Sequence, residues 1–260
     1  MPKSSKISNA HLFVLIHGLW GAPSHMRSIE KIILNTLPVI NNEKIVTFKP
    51  ATTAFFKTYD GLHIISLRVL SEIFSEILFL YTEKNLKIVK ISFIGYSHGG
   101  LISRYLIGLL YNLKFFNSIA PIYFTTFATP HLGIKFYSSF NHNKPLNTNH
   151  INDINNISNI NNISNFNNFN NFNFNFLKIA FTNTLNFLGP IFLNLSGNEL
   201  FLNNDILLNL SSPDDIYFKG LKSFKKFYLL SNIKNDRTVS FYTSYIVNIS
   251  PFNNLNNLNL

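Results

Sequence analysis

Apolar residues along this chain fall into two kinds of run. The first kind is short and unbroken. Residues 12–16 (Leu-Phe-Val-Leu-Ile) are the clearest case and stop at His17-Gly18. A strand buried on both faces of a parallel sheet has this look. Residues 44–48, 87–94, 119–127 and 227–232 read the same way. The second kind repeats every three or four residues. Met26, Ile29, Ile32 and Ile33 mark one helix face, with Ser24 placed to cap it. Leu62, Ile65, Val69, Ile73, Ile77 and Leu80 mark a long helix after Asp60, and Leu101, Ile102, Tyr105, Leu106, Leu109 and Leu110 mark a third. Strands and helices alternating at this pitch predict an α/β fold, a mostly parallel sheet with helices on both faces.

The pattern breaks between residues 141 and 175, where asparagine alternates with isoleucine and then with phenylalanine. Such low-complexity sequence reads as an insertion with no part in catalysis. The expected organisation is one domain over residues 1–260 with this insertion inside it. Residues 176–212 follow, as either a cap over a site or ordinary core. The apolar stretch 176–195 is broken by Lys178, Asn183, Asn186 and Gly189-Pro190, too often for a membrane span. Residues 253–260 return to asparagine–leucine repetition.

Composition narrows the chemistry. There is no cysteine, which excludes a disulfide framework and a thiolate metal site. The net charge of +10 favours anionic surfaces such as phospholipid headgroups. Basic residues do not cluster with aromatic ones on any element, so nucleic-acid binding is not expected. The apolar run 12–16 is too short for a signal-peptide core. The expected location is intracellular and cytoplasmic, with peripheral contact at anionic membranes or lipid droplets.

The candidate chemistry centres on Gly95-Tyr96-Ser97-His98-Gly99, a Gly-x-Ser-x-Gly pattern between a predicted strand and a predicted helix. A serine there sits on a strained elbow with its hydroxyl above the sheet, and small residues at Gly95 and Gly99 allow the sharp turn. Acyl transfer through Ser97 needs oxyanion donors, a base and an acid. The amide of His98, next after the nucleophile, is one expected donor. The amide of Leu19, in the loop His17-Gly18-Leu19, is the other. Asp236, just beyond a late strand, is the expected acid; Asp205, Asp214 and Asp215 are alternatives. All eight histidines precede Asp236, whereas this chain order calls for one after it. His131 is the first fallback as base and His25 the second. No metal or organic cofactor is required.

These stretches together resemble the "putative serine esterase" family of eukaryotic lipase-like α/β-hydrolases. The matching residues are Leu15 to Gly21 with Ser24-His25, Thr58 to Gly61, Ile91 to Leu110 and Phe127 to Gly133. Further on they are Ser196-Gly197 with Glu199 to Leu202, and Asn235 to Val239 with Phe241 and Thr243. The resemblance implies an α/β-hydrolase fold and hydrolysis of lipid esters such as acylglycerols or phospholipids. It places the nucleophile at Ser97 and the acid at Asp236. Two departures stand out: His98 replaces an apolar residue, and the segment that would carry the base is not seen. The chain is then either a fragment of an active lipase or esterase, or an impaired relative that binds lipid or protein.

Overall fold

The computed structural model describes residues 7–37, 43–134, 188, 191, 193–234, 236 and 238–248. The chain divides into two units, Met1–Ile134 with Pro190–Leu260, and Lys135–Gly189. The asparagine-rich stretch falls in the second. That stretch, most of 176–195 and all of 253–260 lie outside the described residues.

Among the described residues of the first unit, five strands form one parallel sheet in the order β2-β1-β3-β4-β5. They are β1 (Ser8–Ile16), β2 (Lys44–Phe48), β3 (Leu86–Tyr96), β4 (Ala120–Phe127) and β5 (Lys226–Leu230). The long helices are α1 (Arg27–Thr36), α2 (Gly61–Thr82) and α3 (His98–Asn112). The short ones are α4 (Asn194–Leu200), α5 (Ile206–Ser211), α6 (Ile216–Lys222) and α7 (Phe241–Tyr245). The architecture is α/β, as the alternating pattern implies.

The unbroken apolar run in β1 is explained by burial from both sides. Leu12, Val14 and Ile16 pack with Leu62, Ile65, Val69 and Ile73 of α2 and Leu101 of α3. Phe13 and Leu15 face the other way, onto Met26 and Ile33. The connection through α1 runs outward from β1 to β2 on one face of the sheet. The chain then crosses to the far side of β1 and builds β3, β4 and β5. Strand order therefore reverses between β1 and β3, and in open α/β sheets ligands bind at the carboxyl ends of the strands at such a point.

The helix starts have their own local chemistry, and the first departs from the expected Ser24 cap. Ser24 forms no cap bond; a 3-10 turn, Pro23–Met26, leads into α1. Asp60 forms no cap bond to α2 and pairs instead with Arg68. The α6 start is capped by Asp215, whose carboxylate accepts from the Ile216 amide at 2.6 Å.

Candidate active site

Ser97 links β3 directly to α3, with φ +52° and ψ −126°. That backbone is sparsely populated for a residue with a side chain and persists only where its surroundings impose it. The Ser97 amide donates to Phe127 O at 2.8 Å, and the Gly100 amide donates to Ser97 O at 3.0 Å. The glycines around it are places of close approach. A Cβ on Gly95 would lie 2.4 Å from Gly100 Cα, and one on Gly99 would lie 2.2 Å from Ile16 O and 2.5 Å from His17 O. The first turn of α3 is thus pressed onto the end of β1.

The same contact brings in the early loop. A Cβ on Gly18 would lie 2.8 Å from Ser97 Cβ and 3.4 Å from Ser97 Oγ. Gly18 and Ser97 are therefore in direct contact although far apart in sequence, and Leu19 follows immediately. The His98 amide is the first of α3 and has no partner within the helix, while the helix dipole makes that end favourable for negative charge. Gly18, on the loop that continues to Leu19, and His98, the next residue, thus flank Ser97.

The histidines have separate environments. His131 is buried. Its Nδ1 lies 3.3 Å from an Arg104 guanidinium nitrogen and its Nε2 lies 3.0 Å from Thr126 Oγ1. Arginine can only donate, so Nδ1 accepts and Nε2–H donates to Thr126. Burial, with the Arg104 charge adding, holds its pKa down to about 3. Both ring nitrogens of His131 are thus engaged. His98 is buried with neither ring nitrogen hydrogen-bonded among the described residues, and burial with a contribution from His17 lowers its pKa to about 4. His17 Nδ1 lies 3.0 Å from Gly18 O. A carbonyl only accepts, so Nδ1 carries the proton and buried Nε2 is left without a partner among the described residues. Burial is the main cause of a lowered pKa at His17, opposed by the Gly18 bond. His25 is exposed. It lies on a cleft of about 730 Å³ that also takes in Met26, Tyr96, Phe127, Leu230 and Asn232. This cleft opens beyond the carboxyl ends of β3, β4 and β5.

Asp236 stands past β5, where the chain order placed the acid. Its Oδ1 accepts from the amides of Thr238 (3.1 Å) and Val239 (2.9 Å) and from Thr238 Oγ1 (3.1 Å), and its Oδ2 accepts from Asn232 Nδ2 at 3.0 Å. Partial burial pushes its pKa up, but these donors outweigh it and the net direction is down. Asp236 is a well-anchored carboxylate. Asp215 is the α6 cap, and Asp205 precedes α5.

Two buried charged groups were not singled out by sequence reasoning. Arg104, on α3, has no acidic partner among the described residues. Its guanidinium donates to His131 O, Leu210 O (2.9 Å) and Ser211 Oγ (3.0 Å), and burial lowers its pKa to about 10. It ties α3 to the loop after β4 and to the end of α5. Glu199 reaches the start of α2, where both carboxylate oxygens accept from the Leu62 amide, at 3.0 and 2.8 Å. Next to it, Ser196 Oγ accepts from the Gly61 amide and donates to Thr58 O at 2.7 Å. Glu199 thus supplies the cap that Asp60 does not. Burial holds its pKa up to about 7, against the Leu62 bond. A charged residue on an otherwise apolar helical face was the only available signal for Arg104. For Glu199 it was its place in a stretch already matched to the family.

A serine on a strained strand–helix elbow, set against a glycine loop at the switch point of a parallel sheet, defines an α/β-hydrolase-like protein. The chain belongs to the family described as "Putative serine esterase (DUF676)", which matches residues 6–160 and 166–246. It is similar to "Putative lipase ROG1" of Saccharomyces cerevisiae, at 35% identity over 127 residues. That match covers 48% of this chain and 18% of the yeast protein. Among solved structures, the "putative cell surface hydrolase from Lactobacillus plantarum WCFS1" aligns with a TM-score of 0.34 at 14% identity. It covers 47% of this chain and 54% of that one.

Proposed function

We propose that this chain is a serine carboxylic-ester hydrolase acting on lipid esters, with acylglycerols or phospholipids as the substrate class. The observation that carries the reading is the contact of Gly18 with Ser97. It supports the reading because Ser97 lies against the loop that carries Leu19, with the N-terminus of α3 on its other side. In this reaction Ser97 Oγ attacks the ester carbonyl carbon. The carbonyl oxygen gains charge, and the Leu19 and His98 amides hold it. Collapse of the adduct expels the alcohol and leaves an acyl-serine, which water then hydrolyses. Asp236 serves as the carboxylate that orients the base. His131 acts structurally, because Arg104 and Thr126 occupy both its ring nitrogens. The base is then a histidine other than His131, and His25, exposed on the adjoining cleft, is the described one open to that side.

A second reading has its own observation. Among the described residues no histidine nitrogen is hydrogen-bonded to Ser97 Oγ, which suits a hydrolase relative that binds a lipid or protein without turning it over. A fluorophosphonate probe separates the two, since it reacts only with an activated serine. Labelling of the wild type that disappears in Ser97→Ala supports the hydrolase. An unlabelled wild type, or equal labelling of both proteins, refutes it. We further propose peripheral contact with anionic lipid surfaces, in keeping with the net charge of +10.

A further inference from the structure

The loop that brings Leu19 to the site continues into Trp20, the single tryptophan of the chain, which is 55% exposed. A second segment lies against it, the 3-10 turn Phe55–Tyr59. Phe55 is 61% exposed and Phe56 is 77% exposed. The two segments are bound together. The Phe55 amide donates to Gly21 O at 3.0 Å, the Trp20 amide donates to Thr58 Oγ1 at 3.2 Å, and the indole N–H donates to the Tyr59 hydroxyl. The Phe56 and Tyr59 rings lie 6.0 Å apart.

Trp20 and Phe55 both have left-handed backbone, at φ +54° and +56°. That conformation is an outlier for bulky residues and costs free energy. Here it accompanies two large aromatic side chains turned to solvent. The segment is also braced from behind. Glu72 of α2 accepts from the amides of Ala51 and Thr52, and Ser196 of α4 donates to Thr58 O. This is a rigid aromatic projection, anchored to the core and one residue from an oxyanion donor.

We propose that Trp20, Phe55 and Phe56 form an insertion lip. It would seat the Ser97 mouth on a lipid surface bearing anionic headgroups. The side-chain types point to this occupant: indole and phenyl rings partition to the boundary between headgroup and acyl chain. The charge agrees. Lys57, between Phe56 and Thr58, is exposed and in no ion pair among the described residues. The acidic groups nearby are already engaged, Asp60 with Arg68 and Glu72 with the backbone. A basic residue beside inserting aromatics favours anionic lipid. The inference rests on the ester-hydrolase reading for the direction in which the mouth faces, but not for binding itself.

Trp20 is its own reporter. The experiment uses the full chain carrying Ser97→Ala, so that binding is read without catalysis, and vesicles of phosphatidylcholine with phosphatidylserine. The expected result is co-flotation, with a blue shift of Trp20 emission and quenching by lipids brominated on the acyl chain. Phe55→Asn with Phe56→Ser should lower the partition coefficient by about tenfold or more. Asparagine tolerates left-handed backbone, so this variant should keep the wild-type thermal midpoint. Lys57→Glu should weaken binding to anionic vesicles and leave purely zwitterionic ones unaffected. Flotation with Trp20 unquenched would overturn the proposal. It would mean that another face binds, such as the exposed Leu67, Phe74 and Leu78 of α2. Absence of flotation, or a lip-dependent dimer in light scattering, would overturn it as well. None of these outcomes depends on whether Ser97 reacts with a fluorophosphonate.

Discussion

Replacing Gly99 by alanine probes the contact on which the site depends. The new methyl carbon would sit 2.2 Å from Ile16 O and 2.5 Å from His17 O. Both are backbone oxygens at the end of β1, so no side chain can swing away to make room. Ordinary van der Waals contact begins near 3.4 Å. The first turn of α3 and the end of β1 must therefore separate by about 1 Å, and Ser97 moves relative to the Gly18-Leu19 loop. Overpacking in a tight core costs about 1–3 kcal/mol, and the backbone clash places this case at about 3 kcal/mol. For a chain of this size that is a fall of about 6–12 °C in thermal midpoint. A misplacement of about 1 Å at a reacting centre costs on the order of 100-fold in rate. Differential scanning calorimetry checks the first figure and the rate of fluorophosphonate labelling of Ser97 the second. A variant with a thermal midpoint within about 2 °C of wild type would refute the packing argument, whatever its labelling rate.

Three other outcomes are expected. His11, His17, His98 and His131 all have pKa values lowered chiefly by burial, His11 and His98 to about 4 and His131 to about 3. The unfolded chain protonates first, so the stability they contribute is present above about pH 6.5 and is lost as pH falls toward 4, by up to about 3 kcal/mol each for His11, His98 and His131; a urea midpoint unchanged between pH 7 and about pH 4.5 would contradict this. Glu199 works in the opposite direction. Its folded pKa of about 7 lies above the ordinary 4.5, so it costs stability as pH rises through that window, by up to about 3 kcal/mol. Glu199→Gln keeps an oxygen for the Leu62 amide, so it should match wild type at pH 5 and exceed it at pH 8 in denaturant titrations. A variant less stable than wild type at pH 8 would show that the charge is needed there. Removing residues 141–175 should leave the midpoint unchanged or slightly higher. The flanks are joined where the Ile134 amide donates to Leu200 O at 2.7 Å, and roughly halving the loop between them gains about 0.6 kcal/mol. A fall of more than about 5 °C would mean that the tract supports the core.

The α/β class, the order of strands and helices, and the elbow at Ser97 were legible in the linear sequence. They rest on local rules. Apolar spacing reports which faces a segment must bury, and small residues beside Ser97 report a turn too tight for a side chain. The position of Asp236 past a late strand was legible too, because chain order is itself a sequence property. The relation between His17-Gly18-Leu19 and Ser97 needed the folded chain, since only the pairing of β1 with β3 brings those backbones within a few ångströms. His131 shows the same limit from the other side. Its place after β4 suggested a base, yet Arg104 and Thr126 engage its ring through contacts that no spacing encodes. The start of α2 likewise takes its side-chain cap from Glu199, more than a hundred residues away, and not from Asp60 beside it in sequence. Periodicity along the chain determined which elements form and which sides they bury. Tertiary packing decided which polar groups meet at the sheet's carboxyl edge, because hydrogen bonds there are chosen by three-dimensional proximity and burial.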